Sequence, residues 1–337
     1  MNWALDEPGA HKSGCNNPYE KRPESFVKDY KELIDYMQQH KFNGLVIWGF
    51  LRDSRGGIES ARRICEYGRK KGIRVIPGVG VLSYGGVYYE GNHRYNMDTH
   101  LGKYPSLAAT DINGEKMYTP DKFSKNMTVA CPSRKENIEW MQEAADWLSR
   151  EFAIGGVNLE TGDYGVCYCD RCREKSSANR ERRVSVVDMA RVLPSICRII
   201  KKNKKEAWIT YAVYTDFSGE DLFGEEREDK ITDALKQIPD YAVAQYTLTN
   251  MVKENAIRRK TKPKTTHNIG YIHQGSPSQP DAVAPTIRAC KLAAEYGLEG
   301  IAIYGEVSHK NLSHELNYLT FEHFSNNPGA PAEEIWN

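Results

Sequence analysis

Several features are missing from this sequence, and each absence excludes a class of protein. No run of residues approaches the roughly 20 apolar positions that a membrane-spanning helix needs. The 46 Lys and Arg residues nearly equal the 45 Asp and Glu residues, so the formal net charge is only +1. A balanced chain has no electrostatic footprint for nucleic acid or for an anionic membrane surface. The sequence therefore predicts neither a nucleic-acid partner nor a membrane partner.

A secretion signal and a disulfide framework are missing as well. The first residues, "MNWALDEPGA", lack the basic and apolar regions of a signal peptide. We expect a soluble cytoplasmic protein, or a secreted one if a leader has been lost. Eight Cys in 337 residues fall short of a disulfide-stapled scaffold. Three of them, Cys65, Cys197 and Cys290, stand in apolar, helix-like contexts and are interpreted as small core residues.

What the sequence does contain is a regular alternation of short β-branched runs with amphipathic segments. Because each parallel connection must cross back over a face of the sheet, such alternation favours a parallel α/β sheet. Eight units in 337 residues predict one (β/α)8 barrel, a TIM barrel, with a long loop at about 82–130 after the third strand. The predicted strands are 2–7, 44–50, 74–81, 155–160, 208–214, 241–248, 265–272 and 300–306.

In such a barrel, the residues that follow the carboxyl ends of the strands form the functional face. These positions combine carboxylates with aromatic and hydrogen-bonding side chains, which suits a sugar with apolar faces and a polar edge. Arg52 can hold a substrate carboxylate or pair locally with Asp53. A carbohydrate is the predicted partner, and homo-oligomerisation remains open. The candidate substrate-binding residues are Trp48, Arg52, Tyr84, Tyr211, Tyr246, His273 and Gln274.

Three predicted strands end in acids, and the glutamates on the fourth and eighth strands are the predicted catalytic pair, with Asp6, Glu7 and Asp216 in reserve. Cleavage of a glycosidic bond needs a proton donor and a second carboxylate that attacks directly or activates water. Glu160 ends the fourth strand, where burial disfavours the charged form of a carboxyl group, and is the predicted acid. Asp163 competes for that role, or positions a sugar hydroxyl, or caps a turn. Glu306 ends the eighth strand and is the predicted base or nucleophile; its place across the barrel from Glu160 favours inversion.

Three cysteines follow the fourth strand closely. Cys167, Cys169 and Cys172 have the spacing C-x-C-x-x-C, and thiolates are natural tetrahedral ligands of Zn²⁺. A fourth ligand is available from Cys131 in "VACPS" or from Cys15. A closed site of four cysteines would be structural rather than catalytic. The alternatives are a disulfide or unpaired buried thiols.

The segment "NLETGDYGVCYCDRCREK" (158–175) resembles the family 42 glycoside hydrolases, the β-galactosidases. In that family the fourth strand bears the acid/base and is followed by a Tyr-Gly pair and a "CYCxxCR" zinc motif. The segment "ACPSRKENIEWM" (130–141) resembles the upstream segment that supplies the fourth zinc ligand. "KYPSLAATDINGEKMYT" (103–119) is similar to the stretch before it. The resemblance implies a glycosidase with a structural zinc held by Cys131, Cys167, Cys169 and Cys172.

The chain also departs from that family. The Asn-Glu pair of the family is split here by Leu159, and an alignment on Tyr164 and Gly165 would put Asp163 at the acid/base position. On the seventh strand the nucleophilic Glu is replaced by "YIHQGSP", with His273 near its place. The substrate and the retaining stereochemistry therefore do not carry over. A carbohydrate-binding barrel without catalysis, or a hydrolase of another bond, remains an alternative to a glycosidase.

Overall fold

The centre of the molecule is a parallel sheet of eight strands. A computed structural model describes residues 2–5, 24–118, 128–160, 167–175, 186–212, 236–248, 266–273, 283–304 and 312–336. The strands pair in sequence order, and two residue pairs between the first and last strands close the sheet into a barrel. Their bounds are β1 Asn2–Leu5, β2 Gly44–Trp48, β3 Arg74–Gly80, β4 Gly156–Glu160, β5 Trp208–Ala212, β6 Val243–Thr247, β7 Asn268–His273 and β8 Ile301–Tyr304.

Helices follow most of the described strands. Within the described ranges, short 3-10 helices cover Asp53–Arg55, Pro105–Leu107 and Ala332–Trp336. The segments between β5 and β6 and between β6 and β7 lie largely outside the described residues. The α-helices are α1 Phe26–Gln39, α2 Gly57–Lys71, α3 Met97–Lys103, α4 Lys135–Glu151, α5 Asp170–Lys175, α6 Val186–Asn203, α7 Val283–Glu295 and α8 Leu312–Asn326.

Local sequence explains where these helices lie and end. In α1 the buried residues Phe26, Tyr30, Leu33 and Met37 recur at helical spacing, so one face packs on the sheet. Helix α2 carries three basic residues in its last turn, which suit the negative end of the helix dipole. It ends at Gly72, whose φ of 75° is the left-handed conformation that glycine adopts without strain.

The strands separate two layers of side chains. On β2, Leu45 and Ile47 face the main core between sheet and helices, whereas Val46 and Trp48 belong to a second cluster. The alternation follows from the two-residue period of a strand. The second cluster fills the inside of the barrel, and we call it the interior cluster. It consists of Val46, Trp48, Ile76, Tyr89, Tyr271 and Ala302.

The predicted parallel α/β sheet is confirmed, and the long loop after β3 is more regular than its sequence indicated. The aperiodic segment at about 82–130 contains α3, the 3-10 helix at Pro105–Leu107 and several isolated bridges, such as that between Ala108 and Ala130. Asn96 caps α3 by accepting a hydrogen bond from the Thr99 amide at 2.9 Å. Among the described residues, none of the helices has the length and apolar character needed to cross a bilayer.

Candidate functional site

Aromatic side chains line the carboxyl-terminal end of the barrel interior. Trp48 ends β2, and its ring meets that of Tyr84 edge to face with centroids 5.5 Å apart. A Cβ atom at Gly78 would collide with the Trp48 indole, so the indole lies directly against β3. Tyr89 and Tyr271 complete the aromatic part of the interior cluster. Trp48 and Tyr84, both predicted from the sequence, are therefore neighbours at this end of the barrel.

Glu160 lies on the interior face at the same end. Val157 and Leu159 face the main core, so Asn158 and Glu160 face the barrel interior. Glu160 is only 7% exposed, and its backbone carbonyl accepts a hydrogen bond from the Val81 amide at 2.7 Å. The bond ties the end of β4 to the start of the long loop. Glu160 therefore places a buried carboxyl group at the end of β4, in register with Gly80 at the end of β3.

Below Glu160, a polar network crosses the barrel. Asn158 Nδ2 donates to Thr210 Oγ1 at 2.8 Å and also to Gln245 Oε1, so the network joins β4, β5 and β6. All three residues are at most 3% exposed. Asn158 Oδ1 and Gln245 Nε2 have no hydrogen-bond partner in the described part of the chain. The floor of the site therefore offers one more donor and one more acceptor.

Arg52 is fully buried just beyond β2, with an exposure of 0%. Its Nη1 donates to Glu90 Oε2 at 3.4 Å, and its guanidinium carbon lies 4.4 Å from the centre of the Tyr89 ring. Backbone hydrogen bonds from Glu90 to Leu51 and from Asp53 to Glu90 hold the two loops together. Asp53 accepts a 2.5 Å hydrogen bond from the Tyr88 hydroxyl. The buried cation therefore stands against the interior cluster.

Two predicted sugar platforms lie elsewhere. Tyr211 and Tyr246 belong to the main core between sheet and helices, and burial raises the pKa of the Tyr211 hydroxyl. Strand alternation is the reason, because their neighbours Thr210 and Gln245 face the interior. Being at the end of a strand is not enough for a side chain to reach the cleft, so these two residues are corrected from ligand contacts to core residues.

Four other predicted residues cannot be placed in the site. His273 ends β7, with its Cα paired to that of Tyr304, and its side chain lies outside the described part of the chain. Asp163, Gln274 and Glu306 lie outside the described residues altogether. Their roles stay predictions.

The four predicted cysteine ligands come together in one group, which we call the thiol cluster: Cys131, Cys167, Cys169 and Cys172. Their sulfur atoms all lie within 4.8 Å of one another, and Cys131 Sγ is 3.6 Å from both Cys169 Sγ and Cys172 Sγ. A disulfide needs about 2.05 Å, whereas sulfurs about 2.3 Å from a tetrahedral zinc are roughly 3.8 Å apart. The group can therefore hold a metal ion. Cys15, the other candidate ligand, lies outside the described residues.

Hydrogen-bond donors surround these sulfurs. The Thr110 amide donates to Cys167 Sγ at 3.4 Å. Hydrogen bonds from Cys131 and Cys172, followed by backbone donors, lower the pKa of the Cys167 thiol. Hydrogen bonds with Cys167 and Cys172 raise the pKa of the Cys131 thiol. Ser133 Oγ lies 3.1 Å from Cys172 Sγ. Arg191 Nη1 is 3.5 Å from Ser133 Oγ and forms an ion pair with Asp188 Oδ1 at 3.0 Å.

The thiol cluster is connected to the aromatic end of the barrel. Tyr84 packs against both the interior cluster and the apolar side chains around the cysteines. Asn137 on α4 donates to the carbonyls of Leu107 and Cys131 at 2.8 and 3.0 Å, which fixes the segment carrying Cys131. The cysteines thereby anchor the chain that leaves β4, only seven positions after Glu160.

Sequence reasoning missed Tyr89 and Tyr271 as lining residues. Tyr271 stands two positions before His273 on β7, so the two-residue strand period could have identified it. Tyr89 lies in the long loop, and its contact with Arg52 has no local sequence signal.

No protein-family model matches this sequence, and no curated protein sequence matches it either. Solved structures resemble it in fold. α-L-Fucosidase isoenzyme 2 from Paenibacillus thiaminolyticus matches with a TM-score of 0.55 and 12% identity, covering 99% of this chain and 50% of the fucosidase. β-N-Acetylhexosaminidase from Bacteroides fragilis NCTC 9343 has a TM-score of 0.55 and 14% identity, with 99% and 70% covered. α-Amylase from Geobacillus thermoleovorans has a TM-score of 0.53 and 12% identity, with 97% and 79% covered.

These neighbours are glycoside hydrolases by name, and at such low identity the likeness shows a shared fold. The chain spans about half the length of the fucosidase it resembles. The narrower likeness to family 42 β-galactosidases stays a prediction from the sequence.

Proposed function

We propose that this chain is a glycoside hydrolase built on a complete (β/α)8 barrel. The observation that carries the proposal is Glu160, whose side chain is 7% exposed and lies on the interior face at the end of β4, the same end of the barrel as Trp48 and Tyr84. The fold shared with an α-L-fucosidase and a β-N-acetylhexosaminidase adds support. The carboxyl ends of barrel strands are where such enzymes place their chemistry.

In this proposal Glu160 donates a proton to the leaving glycosidic oxygen. Glu160 is only 7% exposed, and a general acid must hold its proton until the bond breaks. Glu306, two positions after β8 in the sequence, supplies the second carboxylate, as base or nucleophile, and Asp163 is the reserve acid. Trp48 and Tyr84 offer aromatic surface to the sugar ring.

The thiol cluster is proposed to bind a structural zinc ion. Four thiolates close the coordination shell, so the ion supplies rigidity, and the cysteines hold the chain that follows Glu160. The Thr110 amide donates to Cys167 Sγ, and the Ser133 hydroxyl, 3.1 Å from Cys172 Sγ, would donate to that sulfur once it is a thiolate. A catalytic carboxyl group must be positioned to within about half an ångström. A zinc ion that fixes the chain just after Glu160 would help to meet this requirement.

Hydrolysis of a panel of aryl glycosides tests the function. E160Q keeps the shape of the side chain but removes the transferable proton, and we expect kcat to fall by about 10²- to 10⁴-fold. E136Q, an exposed glutamate on α4, is the matched control and should leave kcat unchanged. Activated substrates that need little acid assistance should lose less than substrates with poor leaving groups.

Two other outcomes would redirect the proposal. Sugar binding without turnover in the wild-type protein would favour the carbohydrate-binding barrel. Turnover that survives in E160Q but disappears in D163N would move the acid to Asp163. In a crystal structure, a separation of about 6.5–9.5 Å between the two carboxyl groups would indicate inversion, and about 5–5.5 Å would indicate retention.

A further inference from the structure

Arg52 is the most unusual charged group in the described part of the chain. It has the same exposure as a core leucine, 0%, yet its Nε and Nη2 atoms have no hydrogen-bond partner among the described residues. Its ion-pair partner there is Glu90, at 3.4 Å from Nη1, and the Glu90 side chain is 36% exposed. Burying a guanidinium with open donors costs several kcal/mol, because each lost hydration contact must be replaced. The arrangement is costly unless something else binds to it.

The open atoms define the shape of what would bind. Nε and Nη2 lie along one edge of the planar guanidinium, and their N–H bonds run parallel, as a fork that matches two oxygens of one oxyanion. Nη1, on the other side, is already engaged by Glu90. The Tyr89 ring covers a face of the guanidinium and fixes its plane. The vacant edge is therefore oriented in advance.

The position of Arg52 connects this fork to the proposed sugar site. Tyr89, which stacks on Arg52, belongs to the same interior cluster as Trp48 and Tyr271. Asp53, the nearest acid in sequence, is engaged by the Tyr88 hydroxyl at 2.5 Å. An anionic group on a sugar at the carboxyl-terminal end of the barrel would thus meet a prepared cation.

We propose that Arg52 binds the oxyanion of an acidic sugar through Nε and Nη2, so that the substrate class is a glycoside carrying a carboxylate or a sulfate ester. This inference rests on the proposed glycosidase function, and it adds the charge of the substrate. A planar carboxylate, as in a hexuronic acid, is the better match to the flat fork, and a sulfate ester shares the chemistry of two coplanar oxygens.

Calorimetric titration tests the proposal with defined probes: D-glucuronic and D-galacturonic acid, D-glucose and D-galactose, and the 6-sulfates of both hexoses. We expect the acids to bind the wild-type protein at least about tenfold more tightly than the neutral sugars, as a charged bidentate contact implies. R52K keeps the charge but loses the fork, and this preference should fall about tenfold. R74K is the matched control. Arg74 also stacks on an aromatic ring, that of Trp208 at 4.5 Å, but it begins β3 and so lies at the other end of the barrel from Arg52.

The outcomes separate this inference from the function beneath it. Neutral sugars that bind as tightly as uronates and sulfates would overturn the anion site while leaving the glycosidase proposal intact. Absence of any sugar binding, together with absence of hydrolysis, would overturn both. Sulfates that bind more tightly than uronates, with the same loss in R52K, would support the fork and assign it to sulfate esters.

A second measurement covers the case in which R52K does not fold. The wild-type preference between uronate and hexose then decides the question alone. A crystal structure soaked with galacturonate shows the contact directly. A carboxylate of the chain itself seated on Nε and Nη2 would overturn the proposal.

Discussion

The two ends of the barrel treat charged side chains in opposite ways. At the amino-terminal ends of the strands a cavity of about 500 Å³ opens, lined by residues including Phe42 and Trp208. Two acids of this cavity are each paired with a histidine: Glu322 with His40 at 2.7 Å and Glu299 with His267 at 2.6 Å. Both pairs are partly exposed, so the glutamate charge is stabilised by water as well as by the histidine.

At the carboxyl-terminal end, several buried polar groups lack hydrogen-bond partners among the described residues. Arg52 keeps two open donors, and the amides of Asn158 and Gln245 each keep one unpartnered atom in the described part of the chain. The thiol cluster brings four sulfurs together with polar donors around them. The acids at the amino-terminal end are paired and partly exposed, whereas the other end holds buried donors and acceptors without partners, which point to a ligand. The proposed site is therefore marked by these unpartnered atoms, and not by the size of a cavity.

The largest expected effect comes from opening the thiol cluster. In C172A, one of four proposed ligands is lost, and we expect bound zinc to fall from about one ion per chain towards zero. Unfolding should require about 3 kcal/mol less free energy, because metal binding and folding are coupled. Elemental analysis by plasma mass spectrometry and urea denaturation measure the two quantities.

C197A is the control for this change. Cys197 is buried on α6, outside the thiol cluster, and its loss should cost about 1 kcal/mol through a small cavity without altering the metal content. Equal zinc content in C172A and wild type would refute the ligand assignment.

The next effect tests the packing of the aromatic end. In G78A, the added methyl group would meet the Trp48 indole, and overpacking of this kind costs about 1–3 kcal/mol. Displacement of the indole should also change the near-ultraviolet circular dichroism. G102A is the matched control, since nothing lies within 4 Å of a Cβ there and the residue is in helix α3. It should gain about 0.5–1 kcal/mol by helix propensity. A neutral G78A would show that Trp48 is free to move.

The predictable part of this molecule is what local pattern controls. The apolar run "GLVIWGF" at 44–50 indicates a strand, and β2 covers the first five of these residues, all of them buried. The cysteine spacing indicated a ligand set, since C-x-C-x-x-C brings three sulfurs together within a short segment. In both cases the information lies within a few neighbouring residues.

What the sequence could not predict is which face of the sheet each strand residue occupies and which distant loops meet at the barrel end. Tyr211 and Tyr246 were assigned to the cleft by their place near strand ends, but a shift of one residue decides between interior and core. The neighbour of Arg52 is Tyr89, 37 positions later, brought there by a loop of irregular sequence. Contacts of this kind require the three-dimensional path of the chain.

A pH effect distinguishes the buried histidine near the thiol cluster from exposed ones. Burial lowers the pKa of His100, although the hydrogen bond to Asn137 at 3.1 Å partly opposes this. The unfolded chain then binds a proton more readily than the folded chain, so stability is lost as the pH falls through the unfolded value of about 6.5. Urea midpoints at pH 7.5 and 5.5 should show this loss in wild type and a smaller one in H100Q. The exposed His323 is the control. H323Q should lose as much stability between pH 7.5 and pH 5.5 as the wild-type protein does.

The smallest expected effect is at the amino-terminal end, where E299Q removes the charge that faces His267. Both side chains are nearly half exposed, so the loss should stay below about 1 kcal/mol and shrink further at high salt. The same substitution at Glu90 removes the negative charge that faces the fully buried Arg52; the amide oxygen can still accept the hydrogen bond, but the buried guanidinium loses its counter-charge, which should cost about 1–3 kcal/mol. Urea denaturation of both variants at low and high salt measures the contrast. Equal losses in E90Q and E299Q would mean that solvent reaches Arg52 as freely as His267, and the distinction between the two ends of the barrel would then fail at its charged groups.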